Sequence, residues 1–320
     1  MTSLATMPRL QEIGAGLSGP KVVALGGGHG LAVTLRAARE YATDITAIVA
    51  VADDGGSSGR LTSGLGLPPP GDVRRCLLAL APPDSIWGEL FGYRFGGGDI
   101  EDHSLGNLLL AALTDLTGDF GVAVDYAGRI LDIVGRVVPA ATSPAVLEAI
   151  ADGRQVAGQA AITKARNIET IALGPETLEA NPSAVAAIRE ADQLILGPGS
   201  LYTSLMAVLL VPGITEAWQA SSARKYFVLN LIDQDGETRG MSGDDHVRAL
   251  AAIAGVGGPG TIICHEGRLD VPPDHAKVTI QPEEAWNWSW DVTSGPLVAK
   301  GTDWPEHDPW ELARILRQHL

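Results

Sequence analysis

The hydrophobic pattern near the start of the chain is that of one β–α–β unit. Four apolar residues at positions 22–25 predict a short buried strand, and the helical spacing of Leu31, Leu35 and Ala38 predicts a helix directly after it. A second apolar run, at positions 45–51, is rich in β-branched residues and predicts the next strand. Glycine-rich and acidic segments follow the two strands, so both strand ends are candidates for ligand chemistry.

Strand and helix patterns also alternate along the rest of the chain. Further strands are predicted at 137–140, 160–163, 168–173, 194–196, 226–229, 261–264 and 277–280. The segments 160–163 and 168–173 are expected to form a hairpin extension of the sheet, and Trp286, Trp288 and Trp290 alternate as one face of a strand would. Helices are predicted from an N-cap at Asp72, at 108–116, at 121–134, from Leu201, at 247–253 and at 309–320, while 84–102 is expected to be a flap or surface loop. This alternation favours an α/β fold with a mainly parallel sheet covered on both faces.

The first strand is followed by a cluster of glycines around one histidine: Gly26, Gly27, Gly28, His29 and Gly30. Glycine has no Cβ, so it lets the backbone turn sharply and approach a ligand closely. The free N–H groups and the dipole of the next helix favour a bound anion, most often phosphate. The dinucleotide fingerprint G-x-G-x-x-G is only partly met, because its third position is Leu31, and no Gly-Lys-Ser/Thr follows as in a P-loop. The segment is therefore a candidate phosphate loop of another lineage, and the alternative is a tight strand–helix turn.

The second strand ends on the acidic, hydroxyl-rich sequence DDGGSSG, which contains Asp53, Asp54, Ser57 and Ser58. Ligands bind at the carboxyl ends of strands in open α/β sheets, so these side chains are expected beside the phosphate loop. There a carboxylate can accept a hydrogen bond from a ribose hydroxyl or hold a divalent cation such as Mg²⁺. The alternative is a solvated acidic loop.

Four more polar groups are candidate ligand contacts because they begin helices or follow strands. They are Asp72 and Arg74, with Arg75 beside them; His103, Ser104 and Asn107; Gly197, Gly199, Ser200, Tyr202 and Thr203; and Asn230. Arginines in a first helical turn are disfavoured by the helix dipole, so they face either a ligand phosphate or a nearby acid. The polar residues at 103–107 precede a helix too apolar to be exposed, so they either line the cleft or cap neighbouring backbone.

Composition excludes several classes of partner. The chain has 320 residues, 45% of them apolar, and a net charge of −15, which argues against nucleic acid and anionic membranes because phosphate backbones need Lys/Arg clusters. No segment approaches the ~20 apolar residues of a membrane helix. Residues 1–20 lack the apolar block of a signal peptide and are expected to be a mobile tail, so a cytoplasmic location is predicted. Cys76 and Cys264 are expected to be buried thiols.

Several segments together resemble the bacterial gluconeogenesis factor family (YvcK), a branch of the CofD-like superfamily. In order they are GGGHGLAVTLR, VADDGGSSGRL, PPPGDVRRCLLALA, HSLGNLLLAALTDLTGDF, LGPGSLYTS and SGDDHVRAL, and HDPWELARIL is similar to the family's C-terminal helix. The resemblance spans 21–320 and implies one CofD-like domain, with 256–320 as a C-terminal extension packed on it. His29 departs from the family, which usually has Thr there, so a hydroxyl role at that position is not carried over.

The resemblance implies a Rossmann-like three-layer fold, usually dimeric, that binds UDP-sugars such as UDP-N-acetylglucosamine. It also implies a cytoplasmic role that couples carbon metabolism to cell-wall synthesis and cell shape, with a cell-wall regulatory protein as partner and no established turnover. The enzymatic members of the superfamily are 2-phospho-lactate transferases that need a divalent cation and use an Asp after the second strand, the position of Asp53 or Asp54 here.

Three hypotheses follow for the function. The first is a regulatory UDP-sugar-binding protein, and the second is a metal-dependent transferase with GDP as the nucleotide. The third is an NAD-binding oxidoreductase, which the first β–α–β unit alone suggests. The third lacks the third fingerprint glycine and any Tyr-x-x-x-Lys pair, and the second lacks an evident acceptor pocket. The first is therefore favoured.

Overall fold

The computed structural model describes residues 19–52 and 67–318 of the chain. Residues 1–18 of the predicted tail lie outside these ranges, and so do Asp53, Asp54, Ser57 and Ser58. The positions predicted for those residues are therefore not addressed by the structure.

Most strands of the described residues belong to one parallel sheet. In chain order the strands are β1 (Lys21–Gly26), β2 (Asp44–Val49), β3 (Arg136–Pro139), β4 (Val146–Ala151), β5 (Arg154–Ala157), β6 (Ile168–Gly174), β7 (Gln193–Leu196), β8 (Arg224–Val228), β9 (Gly260–His265) and β10 (Trp290–Gly295). The main sheet has the order β10-β9-β8-β7-β1-β2-β3, and all its neighbouring pairs are parallel. This confirms the predicted α/β class with a mainly parallel sheet.

The helices alternate with these strands. They are α1 (Gly28–Ala38), α2 (Pro70–Leu80), α3 (Ile86–Gly92), α4 (Leu105–Thr117), α5 (Phe120–Ile130), α6 (Gln159–Ile162), α7 (Pro182–Glu190), a π-helical turn (Leu201–Met206) continued by α8 (Ala207–Leu209), α9 (Ile214–Ala220), α10 (Gly243–Ala254), α11 (Pro282–Trp286) and α12 (Pro309–Gln318). Short connections between strand and helix leave each helix on one face of the sheet.

Two hydrophobic cores lie on opposite faces of the main sheet. Successive side chains of a strand point to opposite faces. Accordingly Val22 and Ala24 enter the core formed with α1, α2, α4, α5 and α12, whereas Val23 and Leu25 enter the core formed with α7, α9 and α10. The fold is therefore a three-layer α/β/α arrangement. Cys76 and Cys264 are buried free thiols in these cores, as predicted.

The chain reverses direction across the sheet between β1 and β7. From β1 it proceeds through β2 to β3 on one side, whereas β7 to β10 extend to the other side. Leu25 of β1 pairs with both Ile48 of β2 and Leu196 of β7, so the loops after these strands emerge next to each other. In open α/β sheets such a reversal opens a crevice at the carboxyl ends of the strands, where ligands bind.

A small antiparallel sheet, β5-β4-β6, packs beside the main one. Buried and exposed residues alternate along β4, and Asp152 and Gly153, both with positive φ (49° and 67°), form the turn to β5. An Asp-Gly pair suits the two left-handed positions of a tight hairpin turn. The strands β4 and β5 of this hairpin were not predicted from the sequence.

Several predicted elements are wrong in detail. Residues 160–162 belong to the helical turn α6 rather than to a strand, and residue 163 is its C-cap. The expected extension of the main sheet is the separate small sheet. The segment 84–102 contains α3, whose N-cap is Ser85. Residues 277–280 make only an isolated bridge, Ile232 to Lys277. The three tryptophans do not share a strand, because Pro282 starts α11, which contains Trp286, and β10 begins only at Trp290.

No single helix within 19–52 and 67–318 is long and apolar enough to cross a membrane. Sufficient length and apolar composition are found only when two segments are taken together, Leu201–Leu209 and Ile214–Ala220, and a bend of 76° separates them. Leu201, Leu205 and Trp218 of this pair are buried in the core.

Candidate functional site

A cleft of about 870 Å³ lies at the β1/β7 reversal, at the carboxyl ends of the strands. This volume is within the range of about 300–1,000 Å³ of small-molecule sites. The described residues that line it are Gly27, Gly28, His29, Gly30, Gly71, Asp72, Arg74, Arg75, Arg94, Asp102, Asn107, Gln159, Ala160, Thr163, Lys164, Gly199, Ser200, Thr203, Ser204 and Gln234.

The glycine loop after β1 leaves the start of α1 open to this cleft. Gly27 is the N-cap residue and makes no side-chain cap, and the first turn contains no acidic residue. Gly28 has φ +67°, and a Cβ built there would meet no atom within 4 Å, so it borders open space. At Gly30, in contrast, a Cβ would collide with the carbonyl of Pro198 in the second glycine turn. The two turns therefore interlock. The Asp72 carboxylate lies beside Gly27 at this helix start, whereas the open space at Gly28 leaves room for an anion.

Three arginines also line the cleft. Arg75 Nη1 donates to Asp72 Oδ1 over 2.5 Å. Arg74 is buried and its Nε donates to Asn107 Oδ1 over 3.0 Å. Arg94 Nη1 donates to the backbone carbonyl of Asp102 over 2.8 Å. In the part of the chain that the structure describes, only Arg75 of these three pairs with a carboxylate.

The described lining of the cleft is positive although the chain is strongly acidic. Among residues 19–52 and 67–318, four cationic and two acidic side chains line it, whereas the whole chain carries −15. Burial, and then the guanidiniums of Arg75 and Arg94, lower the pKa of Arg74 to about 10, so it stays charged at neutral pH. Partial desolvation and the nearby Arg75 lower the pKa of the His29 imidazole. A field of this sign favours an anionic small molecule over a cationic one.

The second glycine turn already holds a carboxyl group of the protein. Glu237 is only 3% exposed. Its Oε2 accepts from the Thr203 amide over 3.2 Å and its Oε1 from the Thr203 hydroxyl over 3.4 Å. The Ser200 hydroxyl and the Tyr202 amide also donate to this carboxylate. Hydroxyl and amide groups of this turn therefore already have a partner within the protein, although Gly199, Ser200 and Thr203 still line the cleft.

Asn230 fixes the shape of the same turn. Its Oδ1 accepts from the Gly199 amide over 3.0 Å, and its Nδ2 donates to the Gly199 carbonyl over 2.9 Å. The Thr34 hydroxyl donates to the Gly197 carbonyl over 2.7 Å. Asn230 therefore holds the turn in shape, and it is not among the described residues that line the cleft.

The small sheet brings α6 and the residues after it to the remaining wall of the cleft. Gln159 Nε2 donates to the Thr203 carbonyl over 3.3 Å and so joins this wall to the second turn. Gly236, with φ +81°, lies against the backbone of Thr163 and Lys164, where a Cβ would collide. These contacts hold Lys164 at the cleft and add a cation to its lining.

The structure brings together ten of the predicted ligand residues in the cleft lining: Gly27, Gly28, His29, Gly30, Asp72, Arg74, Asn107, Gly199, Ser200 and Thr203. Six others are not among its lining residues: Gly26, His103, Ser104, Gly197, Tyr202 and Asn230. The lining residues that were not predicted from the sequence are Gly71, Arg94, Asp102, Gln159, Ala160, Thr163, Lys164 and Gln234. An Asp-Gly turn between alternating segments was the available signal for the wall that carries Gln159 and Lys164.

Two of the predicted roles change. Asp72 is not the N-cap of α2, because Pro70 favours the first helical position and the helix begins there; its carboxylate pairs with Arg75 instead. Ser104 is fully buried and its Oγ accepts from the Asn107 amide over 3.2 Å, so it caps α4. Asn107 alone of the 103–107 group reaches the cleft.

The described residues contain no group of three or more His, Cys, Asp or Glu side chains that could hold a metal ion. Asp53 and Asp54, the predicted metal ligands, lie outside the described ranges. The His, Cys, Asp and Glu side chains of the described residues therefore do not form a cation site by themselves.

Comparisons with known proteins agree with this architecture. The sequence profile of the family described as "2-phospho-L-lactate transferase CofD" matches residues 22–296. The "Gluconeogenesis factor" of Bacillus subtilis is 44% identical over 310 residues, which cover 93% of this chain and 97% of that protein. The protein of the same name from Halalkalibacterium halodurans is 45% identical over 266 residues, covering 82% and 83%. A crystal structure of a Bacillus halodurans protein of the UPF0052 family has a TM-score of 0.89 at 37% identity, covering 94% of this chain and 100% of that one.

The buried Glu237 predicts a pH dependence of stability. Burial raises its pKa from 4.5 to about 7, although hydrogen bonds from Ser200, Thr203 and Tyr202 oppose the shift. The folded chain then binds a proton that the unfolded chain releases between these values, so this group's contribution to stability falls as pH rises through that window. The unfolding free energy of the wild type, relative to Glu237→Gln, should fall by about 2 kcal/mol between about pH 5.5 and 8.5.

Chemical denaturation of both proteins across that pH range measures the difference. The exposed Glu176→Gln is the matched control and should keep the wild-type profile. Parallel profiles for the wild type and Glu237→Gln would show that Glu237 does not titrate in this window.

Proposed function

Since this chain belongs to the CofD family, we propose that its cleft binds a UDP-sugar of the UDP-N-acetylglucosamine type and that the protein acts as a regulator. One observation carries the binding part: the uncapped, glycine-lined start of α1 opens into a positive cleft on an otherwise acidic chain. Backbone amides there suit the diphosphate. Arg75 and Lys164 lie in the same cleft and would add charge-assisted hydrogen bonds.

The uncharged part of the ligand has its own wall. Gln159, Thr163, Ser204 and Gln234 line the cleft with neutral donors and acceptors. Neutral polar groups of this kind fix the orientation of a base or sugar, whereas the phosphates supply most of the charge attraction. A nucleotide-sugar has both features, and inorganic phosphate has only one.

The regulatory part of the proposal has a different basis. The relatives from Bacillus subtilis and Halalkalibacterium halodurans are named gluconeogenesis factors, which supports a role in carbon metabolism. The cytoplasmic link to cell-wall synthesis and cell shape, a cell-wall regulatory protein partner and a homodimer follow from the family resemblance. Sedimentation of the purified chain tests the homodimer: a mass near the 33.3 kDa of one chain would contradict it.

A transferase remains the second candidate because the matching family profile is described as a 2-phospho-L-lactate transferase. Its divalent cation would supply charge neutralisation at the transferred group. The described residues contain no group of three or more His, Cys, Asp or Glu side chains that could hold this cation.

Ligand-dependent melting separates these functions. UDP-N-acetylglucosamine, UDP, GDP and NAD are each tested with and without magnesium, and N-acetylglucosamine alone is the control. A ligand at 100 times its Kd stabilises the folded state by about 2.7 kcal/mol. We expect the largest shift with UDP-N-acetylglucosamine. A shift with GDP that needs magnesium would favour the transferase, a shift with NAD alone the oxidoreductase, and no shift would contradict nucleotide binding.

A further inference from the structure

Gln234 has an unsatisfied acceptor in the wall of the cleft. It follows β8, the neighbour of β7, and is half-buried where it lines the site. Its Oε1 is buried and has no hydrogen-bond partner among residues 19–52 and 67–318. Buried polar atoms are nearly always paired, so an orphan at a ligand cleft needs an explanation.

The backbone that carries this side chain is held firmly. The Gln234 amide donates to the Thr238 hydroxyl over 3.0 Å. The preceding residue, Asp233, accepts from the amides of Ala276 and Gly240, both over 2.8 Å. Two residues later, Gly236 packs against Thr163 and Lys164. These contacts hold the backbone of the loop in place. The acceptor can therefore gain a partner only through rotation of the Gln234 side chain.

The other two cleft carboxamides already have partners. Asn107 Oδ1 accepts from Arg74 Nε over 3.0 Å. Gln159 donates its Nε2 to the Thr203 carbonyl and so closes one wall. Gln234 makes no such contact through its acceptor. Its terminal torsion joins an sp³ and an sp² carbon, and such torsions are broad, so a rotation can turn Oε1 from the wall into the cleft.

We infer that Gln234 is a specificity-determining residue that accepts a hydrogen bond from an N–H or O–H donor on the uncharged part of the ligand. This inference rests on the proposed function, since it assumes a nucleotide-sugar in the cleft. The ligand supplies the partner that Oε1 lacks in the free chain, and a ligand without a donor at that place leaves it unpaired. The donor belongs either to the base or to the sugar.

Calorimetric titration of Gln234→Met tests the inference, because Met has similar size but no acceptor of this kind. Gln155→Met, at an exposed position of β5, is the matched control. We expect Gln234→Met to lose about 5- to 10-fold in affinity for UDP-N-acetylglucosamine. Its affinity for pyrophosphate should be unchanged, and its ligand-free melting temperature should equal or exceed that of the wild type. An equal loss with UDP places the donor on the nucleoside, and a loss with UDP-N-acetylglucosamine alone places it on the sugar.

Other results would overturn the inference. If Gln234→Met binds UDP-N-acetylglucosamine as the wild type does, Gln234 is not a ligand contact, although the proposed function stands. A lower ligand-free melting temperature with intact affinity would make Gln234 a structural residue. If the wild type itself binds pyrophosphate but no uridine ligand, the proposed function fails together with the inference.

Discussion

Gly30→Ala should destabilise the fold strongly, because the first and second glycine turns interlock at this residue. A Cβ at Gly30 would collide with the backbone carbonyl of Pro198, and backbone cannot rotate away as a side chain can. Overpacking of this kind typically costs about 1–3 kcal/mol, and we expect the upper part of that range. The gain in helix propensity from Gly to Ala, about 0.5–1 kcal/mol, offsets only part of it.

Gly88→Ala is the matched control for this substitution. Gly88 also lies in a helix, α3, but a Cβ there would make only ordinary contacts, the nearest at 3.7 Å to Ser85. It should stabilise by about 0.5–1 kcal/mol because alanine is the better helix former. Denaturant unfolding measures the free energy of unfolding of both variants, which should fall for Gly30→Ala and rise for Gly88→Ala. A Gly30→Ala protein as stable as Gly88→Ala would show that the two turns are not locked together.

Gly28→Ala should abolish most of the affinity for the ligand while the fold survives. Its φ of +67° makes any L side chain costly by about 1–2 kcal/mol, and the new Cβ would stand in the open space at the start of α1. A diphosphate that contacts the backbone there is displaced, so affinity for UDP-N-acetylglucosamine should fall about tenfold or more, which corresponds to about 1.4 kcal/mol.

Gly153→Ala separates the two effects of that substitution. Gly153 has the same φ of +67°, and a Cβ there also meets nothing within 4 Å, but it lies in the β4–β5 turn outside the cleft. Both variants should lose similar stability in denaturant unfolding, and only Gly28→Ala should lose affinity by calorimetry. Equal affinity in both would remove the first glycine loop from the binding site.

The main sheet was predictable because its signals are local. Apolar runs at 22–25 and 45–51, with glycines after the first, specify β1, α1 and β2 within one short stretch. The order of strands on the far side of β1 was not predicted, but alternation sufficed to indicate a parallel sheet with its ligand edge at these loops.

The cleft was only partly predictable because several of its walls depend on distant contacts. Glu237 is 34 residues from Thr203 in the sequence, and nothing in the hydroxyl-rich turn indicates that a carboxylate of the protein occupies it. Arg94 reaches the cleft from a segment expected to be a loop, and Lys164 reaches it from the turn after α6, where a strand was predicted. Local pattern thus located the two glycine turns of the cleft, whereas the side chains of its other walls required the tertiary structure.

The tryptophan prediction failed for a related reason. Period-two spacing at 286–290 resembles a strand, but Pro282 and the capping interaction between Gln281 and Glu284 start a helix just before it. Trp286 is consequently exposed, while Trp290 is buried at the start of β10. A local helix-start signal here outweighs the alternation.

Calorimetric titration of UDP-N-acetylglucosamine into the wild-type chain tests nucleotide-sugar binding most directly. We expect a saturable isotherm with one site per chain, competition by UDP and no competition by N-acetylglucosamine alone. In the proposed complex the phosphates supply most of the attraction, at the start of α1 and the cationic cleft lining. An isotherm without saturation at millimolar UDP-N-acetylglucosamine, while NAD or GDP saturates the same protein, would contradict the account.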